Sequence, residues 1–125
     1  MIIGTGIDIV EVERIAAAIE RFGERFLARI YTAEERRYCE ARAHRIERFA
    51  ARFAAKEAGM KALGTGLSRG VSWVDVQVGR EPGGRPVLAF AGKAAEVAAQ
   101  MGVARVALSL SHTAGHAVAQ VILEK

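Results

Sequence analysis

Apolar residues recur between Arg45 and Leu63 at Ile46, Phe49, Ala50, Phe53, Met60 and Leu63. That spacing lines one side of a helix, so the pattern predicts a long helix over 45–63, ended by Gly64-Thr65-Gly66. At about 100° per residue, Glu57 falls near the middle of the apolar stripe, between Phe53 and Met60. A bare carboxylate facing a core is costly unless a cation meets it. Ile2–Val10 reads as a buried strand: β-branched residues dominate, and Gly4 and Gly6 keep it narrow. Asp8 interrupts this strand as a second misplaced acid.

The remaining pattern fills in around these two elements. Glu11–Phe22 reads as a helix with Ile15, Ile19, Phe22 and then Phe26 on one apolar side, broken or bent at Gly23. Thr32 followed by Glu35 is a capping box, opening a helix that runs to about Arg42. Trp73–Val78 alternates as a half-buried strand, with Trp73, Asp75 and Gln77 on one side and Val74, Val76 and Val78 on the other. Pro82–Pro86 is a turn, Val87–Phe90 a short strand and Gly92–Met101 an alanine-rich helix. Ala104–Ser111 and Ala117–Leu123 are strands joined by His112–His116, which predicts a hairpin. No repeat or linker interrupts the order. It predicts an α+β fold with a mainly antiparallel sheet, in one domain over residues 1–125.

Composition narrows the function classes. With 125 residues, the chain has little interior in which to hide a deep active site, and a cleft between subunits would solve that problem. The formal charge is +4, and the excess is mostly arginine between Arg14 and Arg52. This fits an acidic partner, or simply a solvated surface. Arg14, Arg21 and Arg25 recur at helical spacing opposite the Ile15–Ile19–Phe22 side. Such a row is either a solvated face or a docking strip for an acidic helix. It lacks interleaved exposed aromatics, which argues against single-stranded nucleic acid. Cys39 is the only cysteine, which excludes an intrachain disulfide and a cysteine-rich metal site and points to a reducing, cytoplasmic setting. The start of the chain lacks a signal-peptide layout, and no apolar run nears the ~20 residues of a membrane helix.

Two acids out of place suggest one shared cation. Magnesium takes oxygen ligands and is usually held by one or two carboxylates plus substrate phosphates, which suits Asp8 and Glu57. The alternative is that each acid pairs with its own Arg or Lys. Lys61 follows Glu57 by four residues, the favourable order for a surface ion pair; it could equally sit beside a phosphate as a point charge. Gly64 is a helix C-cap, and Gly66 would let backbone approach a ligand closely, although no Walker motif is present. A Ser111–His112 hydrolase pair is poor geometry, because neighbouring strand residues point apart. His112 is then a turn residue or a donor to a ligand.

Three stretches together resemble a known family. Gly6-Ile7-Asp8-Ile9, Arg52-Phe53-Ala54-Ala55-Lys56-Glu57-Ala58 and Lys61-Ala62-Leu63-Gly64-Thr65-Gly66 resemble the holo-(acyl-carrier-protein) synthases, the short 4′-phosphopantetheinyl transferases. Leu110-Ser111-His112-Thr113 and a strand with Ala119-Gln120-Val121 extend the resemblance over nearly the whole chain. The resemblance implies an α+β fold and trimers with active sites between subunits. It implies transfer of 4′-phosphopantetheine from coenzyme A to a serine of apo-acyl carrier protein, leaving adenosine 3′,5′-bisphosphate. By the same resemblance Asp8 and Glu57 are magnesium ligands, and Lys61, Gly64, Thr65, Gly66 and His112 contact coenzyme A or its phosphates. Arg14 and Arg21, with Arg25 less closely matched, form a carrier-docking helix. The proton of the carrier serine would go to Glu57, to a water on the metal or to Lys61. Two other readings stand beside this one: a different magnesium-dependent phosphoryl enzyme such as a small pyrophosphatase, and a non-enzymatic basic binding module.

Overall fold

A computed structural model describes residues 1–125. The chain runs β1 (Ile2–Glu11), α1 (Val12–Phe22), α2 (Glu24–Ile30), α3 (Ala33–Glu40) and α4 (Arg45–Leu63). A 3₁₀ turn (Trp73–Asp75) follows, then β2 (Val76–Arg80), β3 (Pro86–Phe90), α5 (Gly92–Met101), β4 (Arg105–His112) and β5 (His116–Glu124). Every strand pairing is antiparallel, but the strands form two sheets, β1-β5-β4 and β2-β3. The α+β expectation holds, with α4 packed between the two sheets.

Helix α4 departs from the one-stripe pattern. Between Phe49 and Met60 every residue is buried except Glu57. The three-stranded sheet covers one side, while α3, the 3₁₀ turn and β2 cover another, so polar Arg52 and Lys56 are enclosed along with the apolar stripe. A helix wrapped all round cannot be read from amphipathicity, because its polar residues are buried by partners rather than by their own chemistry.

Close approach explains the glycines of β1. A Cβ on Gly6 would stand 1.9 Å from the Ala58 carbonyl oxygen, and one on Gly4 would stand 2.5 Å from that of Ala62. Both contacts are with backbone, which cannot move aside, so only glycine lets α4 lie this close. The same contacts set the register of strand on helix. Two residues along a strand and four along a helix both span about 6 Å. One further step, from Gly6 to Asp8, therefore reaches the turn of α4 just before Ala58, where Glu57 lies.

Other expectations need correction. Strand β1 is not buried on both faces: Ile7 and Ile9 are 61% and 66% exposed on the side away from α4. Trp73–Val78 is not one strand. Its first half is the 3₁₀ turn, where the Trp73 ring packs on Phe53 at 4.7 Å between centroids, and the strand starts at Val76. Helix α3 stops at Glu40, short of Arg42. Gly23 does break the first helical stretch, with φ 53° and ψ −127°, and the new direction leaves Phe22 half-exposed instead of on the core side.

The Thr32 capping box forms as read, with the Thr32 amide donating to Glu35 Oε1 at 2.8 Å and the Glu35 amide to Thr32 Oγ1 at 3.2 Å. Glu35 has a second task. Its Oε1 faces Lys56 Nζ at 2.8 Å, and its Oε2 accepts from the Val78 amide at 2.7 Å. Lys56 also donates to the carbonyls of Trp73 and Val76, at 3.1 and 2.8 Å. This enclosed pair ties α3, α4, the 3₁₀ turn and β2 together.

Candidate active site

The alternation of β1 sends Gly4, Gly6, Asp8 and Val10 toward α4. Gly4 and Gly6 leave no side chain there, so Asp8 meets the helix directly. Lys61 Nζ donates to Asp8 Oδ1 at 2.9 Å and to the Ile7 carbonyl at 3.0 Å. The lysine therefore reaches across to the strand instead of pairing with Glu57 along its own helix. Glu57 stands near enough to Asp8 for the two carboxyl charges to act on each other. Burial pushes the Glu57 carboxyl above its ordinary value, and the neighbouring Asp8 charge adds to that; Lys61 and Arg14 pull the other way. Two carboxylates held together against one direct lysine leave negative charge in need of a cation.

Glu57, with Lys61 that bonds Asp8, opens onto a cleft of about 260 Å³ lined also by Met60, Gly66, Leu67 and Trp73. Gly64 caps α4 at φ 77° and Gly66 turns at φ 55°, both with open space where a side chain would be. Gly66 thus leaves its backbone free at the cleft wall, while Thr65 is buried behind it. Met60, Leu67 and Trp73 were not foreseen as lining residues. Met60, one turn from Glu57 on the same helix, was the one that helical spacing could have shown.

His112 does not join this group within one chain. It ends β4 and sits against the start of α4, with Nδ1 3.1 Å from Glu47 Oε1. His44 holds the other oxygen of Glu47 at 3.2 Å. Ten helical residues separate Glu47 from Glu57, about 15 Å of rise. His116 is exposed at the hairpin. Arg14 and Arg21 are exposed on α1, seven residues apart and so on nearly the same face. Arg25 lies beyond the Gly23 break on α2, where it lines a shallow groove with Phe22, Phe26 and Arg29.

The residues present suit a magnesium ion. Both donors are carboxylate oxygens, they come from a strand and a helix, their mutual repulsion is only partly offset, and Glu57 borders open space where phosphate oxygens could complete the shell.

Residues 4–121 match the 4′-phosphopantetheinyl transferase superfamily. A holo-[acyl-carrier-protein] synthase of Koribacter versatilis is 66% identical over 124 residues, covering 99% of each chain. The crystal structure of the holo-[acyl-carrier-protein] synthase from Neisseria meningitidis superposes with a TM-score of 0.91 at 36% identity, covering 100% of both chains. The Helicobacter pylori enzyme, solved in complex with coenzyme A, gives a TM-score of 0.85 at 31% identity, covering 96% of this chain and 99% of its own.

Proposed function

The chain belongs to the holo-[acyl-carrier-protein] synthase family of the 4′-phosphopantetheinyl transferase superfamily, and on that premise we propose that it moves 4′-phosphopantetheine from coenzyme A to a serine hydroxyl of an apo-acyl carrier protein. The carrier serves fatty-acid or polyketide synthesis. The observation that carries the reading is the Asp8–Glu57 pair, joined at a cleft by strand–helix register.

In the reaction, the serine oxygen attacks the pantetheine-side phosphorus of the coenzyme's diphosphate. The bond from that phosphorus to the bridging oxygen breaks, and adenosine 3′,5′-bisphosphate leaves. Asp8 and Glu57 would hold magnesium, whose charge neutralises the diphosphate against which the nucleophile must advance. Lys61 steadies Asp8 and presents its positive charge at the cleft mouth, where a phosphate would lie. Its ammonium is committed as a donor to Asp8 and the Ile7 carbonyl, which makes it a poor acceptor for the serine proton. That leaves Glu57 or a cleft water in that role. Gly64, Thr65 and Gly66 shape the wall against which the coenzyme lies.

Incubation with coenzyme A and a purified apo-carrier, with and without magnesium, tests this directly. A carrier heavier by one phosphopantetheine only when magnesium is present is the expected result. Release of free 4′-phosphopantetheine and adenosine 3′,5′-bisphosphate without an adduct would point instead to hydrolysis.

Arg14 and Arg21, with Arg25 beyond the bend, are the proposed docking strip for the acidic carrier. Exposed charges of this kind steer association. Arg14→Ala and Arg21→Ala should each weaken carrier binding about two- to fivefold at low salt, and leave coenzyme A binding less affected. Titration showing unchanged carrier affinity would remove the strip from the reading.

A homotrimer with sites between subunits is part of the same proposal. The sheet face away from α4 carries Ile7, Ile9, Val118 and Ile122 beside the small Ser109 and Ser111, and no element of the chain covers it. Another copy laid on this face would bury it. The separation of His112 from Glu57 supports the arrangement, since a ligand touching both is served if a neighbouring copy supplies its own His112. Light scattering should give three times the chain mass; a monomer at micromolar concentration would exclude shared sites. A single domain is supported by one hydrophobic core running from Val10 to Leu123. No helix is long and apolar enough to cross a membrane, and a cytoplasmic setting for the enzyme belongs to this proposal.

A further inference from the structure

On another side of α4, a cavity of about 500 Å³ opens between α3, α4 and β2. Arg37, Tyr38, Arg42, Arg52 and Arg80 line it, with Glu34 among them. Arg52 precedes Glu57 by five residues, which turns it about 140° around the helix from the cleft described above. The Tyr38 ring is surrounded by guanidinium groups, at 3.9 Å for Arg42, 4.2 Å for Arg52, 4.9 Å for Arg80 and 5.8 Å for Arg48, measured to the ring centroid.

None of these arginines has a carboxylate within 4.0 Å. Arg52 is only 3% exposed. Charged side chains at that depth are almost always paired; the enclosed Lys56 in the same helix has its Glu35 at 2.8 Å. The ring offers attraction to each cation, but it carries no net charge and cannot balance several of them. Burial weakens Arg52's hold on its proton, though Cys39 and Tyr38 partly offset this, and the adjacent Arg80 adds repulsion. A fold that buries Arg52 without a carboxylate and sets the exposed Arg37, Arg42 and Arg80 around the same cavity, against the single acid Glu34, is arranged for an anion from outside.

We propose that this arginine cavity is a binding site for a phosphate monoester group carried on a small molecule. Guanidinium forks match phosphate oxygens two at a time, and a tetrahedral dianion can meet several forks at once where one carboxylate cannot. The volume falls within the range of small-molecule sites, so the phosphate has room to bring an organic group with it. The phosphate could belong to coenzyme A, which carries one on its ribose, or to a separate metabolite; the chemistry at the arginines is the same. The proposal stands on the cavity alone and does not need the transferase reading.

Thermal unfolding with added inorganic phosphate, against sodium chloride of equal ionic strength, tests it. The wild-type chain should gain several degrees in Tm that chloride does not reproduce. Arg52→Met removes an enclosed charge, so it should melt no lower than wild type without phosphate, and it should lose the phosphate-dependent gain. Arg80→Ala alters an exposed residue, leaves folding intact and should shrink the gain by half or more. No phosphate-specific gain in the wild type, or a gain of the same size in Arg80→Ala, overturns the site. Turnover with coenzyme A and with 3′-dephospho-coenzyme A then identifies the source. If Arg80→Ala raises KM severalfold for the first substrate only, the phosphate is that of the coenzyme. If it raises neither while the phosphate gain is lost, the ligand is a separate phosphorylated molecule.

Discussion

Replacing Glu57 by glutamine should lower magnesium-dependent phosphopantetheine transfer by about 10²- to 10³-fold or more, the usual effect of removing a preorganised electrostatic group. Asp8→Asn should do the same. Neither change should unfold the protein. Glu57 is only half-buried, and its carboxyl is already strained by burial and by the Asp8 charge. Neutralising Glu57 relieves that repulsion, so the melting temperature of that variant should stay level or rise while activity falls; Asp8→Asn gives the same relief but weakens the bond to Lys61, so its melting temperature should stay near wild type. A residue kept for stability would behave in the opposite way. Transfer near the wild-type rate in either variant, with a carrier adduct confirmed by mass, would remove the acid pair from the mechanism.

The largest stability effect is expected at Lys56. Its ammonium is fully enclosed, paired with Glu35 and bonded to the Trp73 and Val76 carbonyls. Lys56→Met strands the Glu35 carboxylate in the interior and leaves two carbonyls short of a donor. Breaking one side of a buried pair typically costs about 3–5 kcal/mol, a large part of the stability of a domain this size. Adding Glu35→Gln should recover some of the loss. The neutral amide still accepts from one of the Thr32 and Val78 amides through its single oxygen, and it no longer leaves a bare charge, so the recovery is partial. Urea unfolding followed by Trp73 fluorescence reads both. A single variant within about 1 kcal/mol of wild type would mean that the pair contributes little.

These two sites show how unevenly the sequence reports on itself. Helix α4 matched its expected bounds because a long apolar period, a glycine C-cap and strong helix formers all agree there. The capping box at Thr32 was equally plain, since it depends on residues three apart. Glu57 and Asp8 drew attention as acids in apolar runs, and the structure brings them together. Met60 lay within reach of the same helical argument, but Leu67 and Trp73 did not, because they enter the cleft from a loop and a turn distant in sequence. The misread of Trp73–Val78 has a local cause: alternation suggested a strand, but a capping box between Ser72 and Asp75 coils the chain first, and the Trp73 ring then lies on Phe53.

What the sequence determined by itself is local: which segments turn into helices and strands, where they stop, and which side chains are chemically out of place. These follow from backbone preference and short-range spacing, which act within a turn or two. Tertiary structure alone decided the pairings. Lys61 went to Asp8 and not to Glu57, Lys56 took Glu35, and Arg52 was enclosed with no carboxylate at all. Each outcome depends on how closely α4 lies on its neighbours, and that distance is set by contacts such as Gly6 on Ala58, between residues more than fifty positions apart.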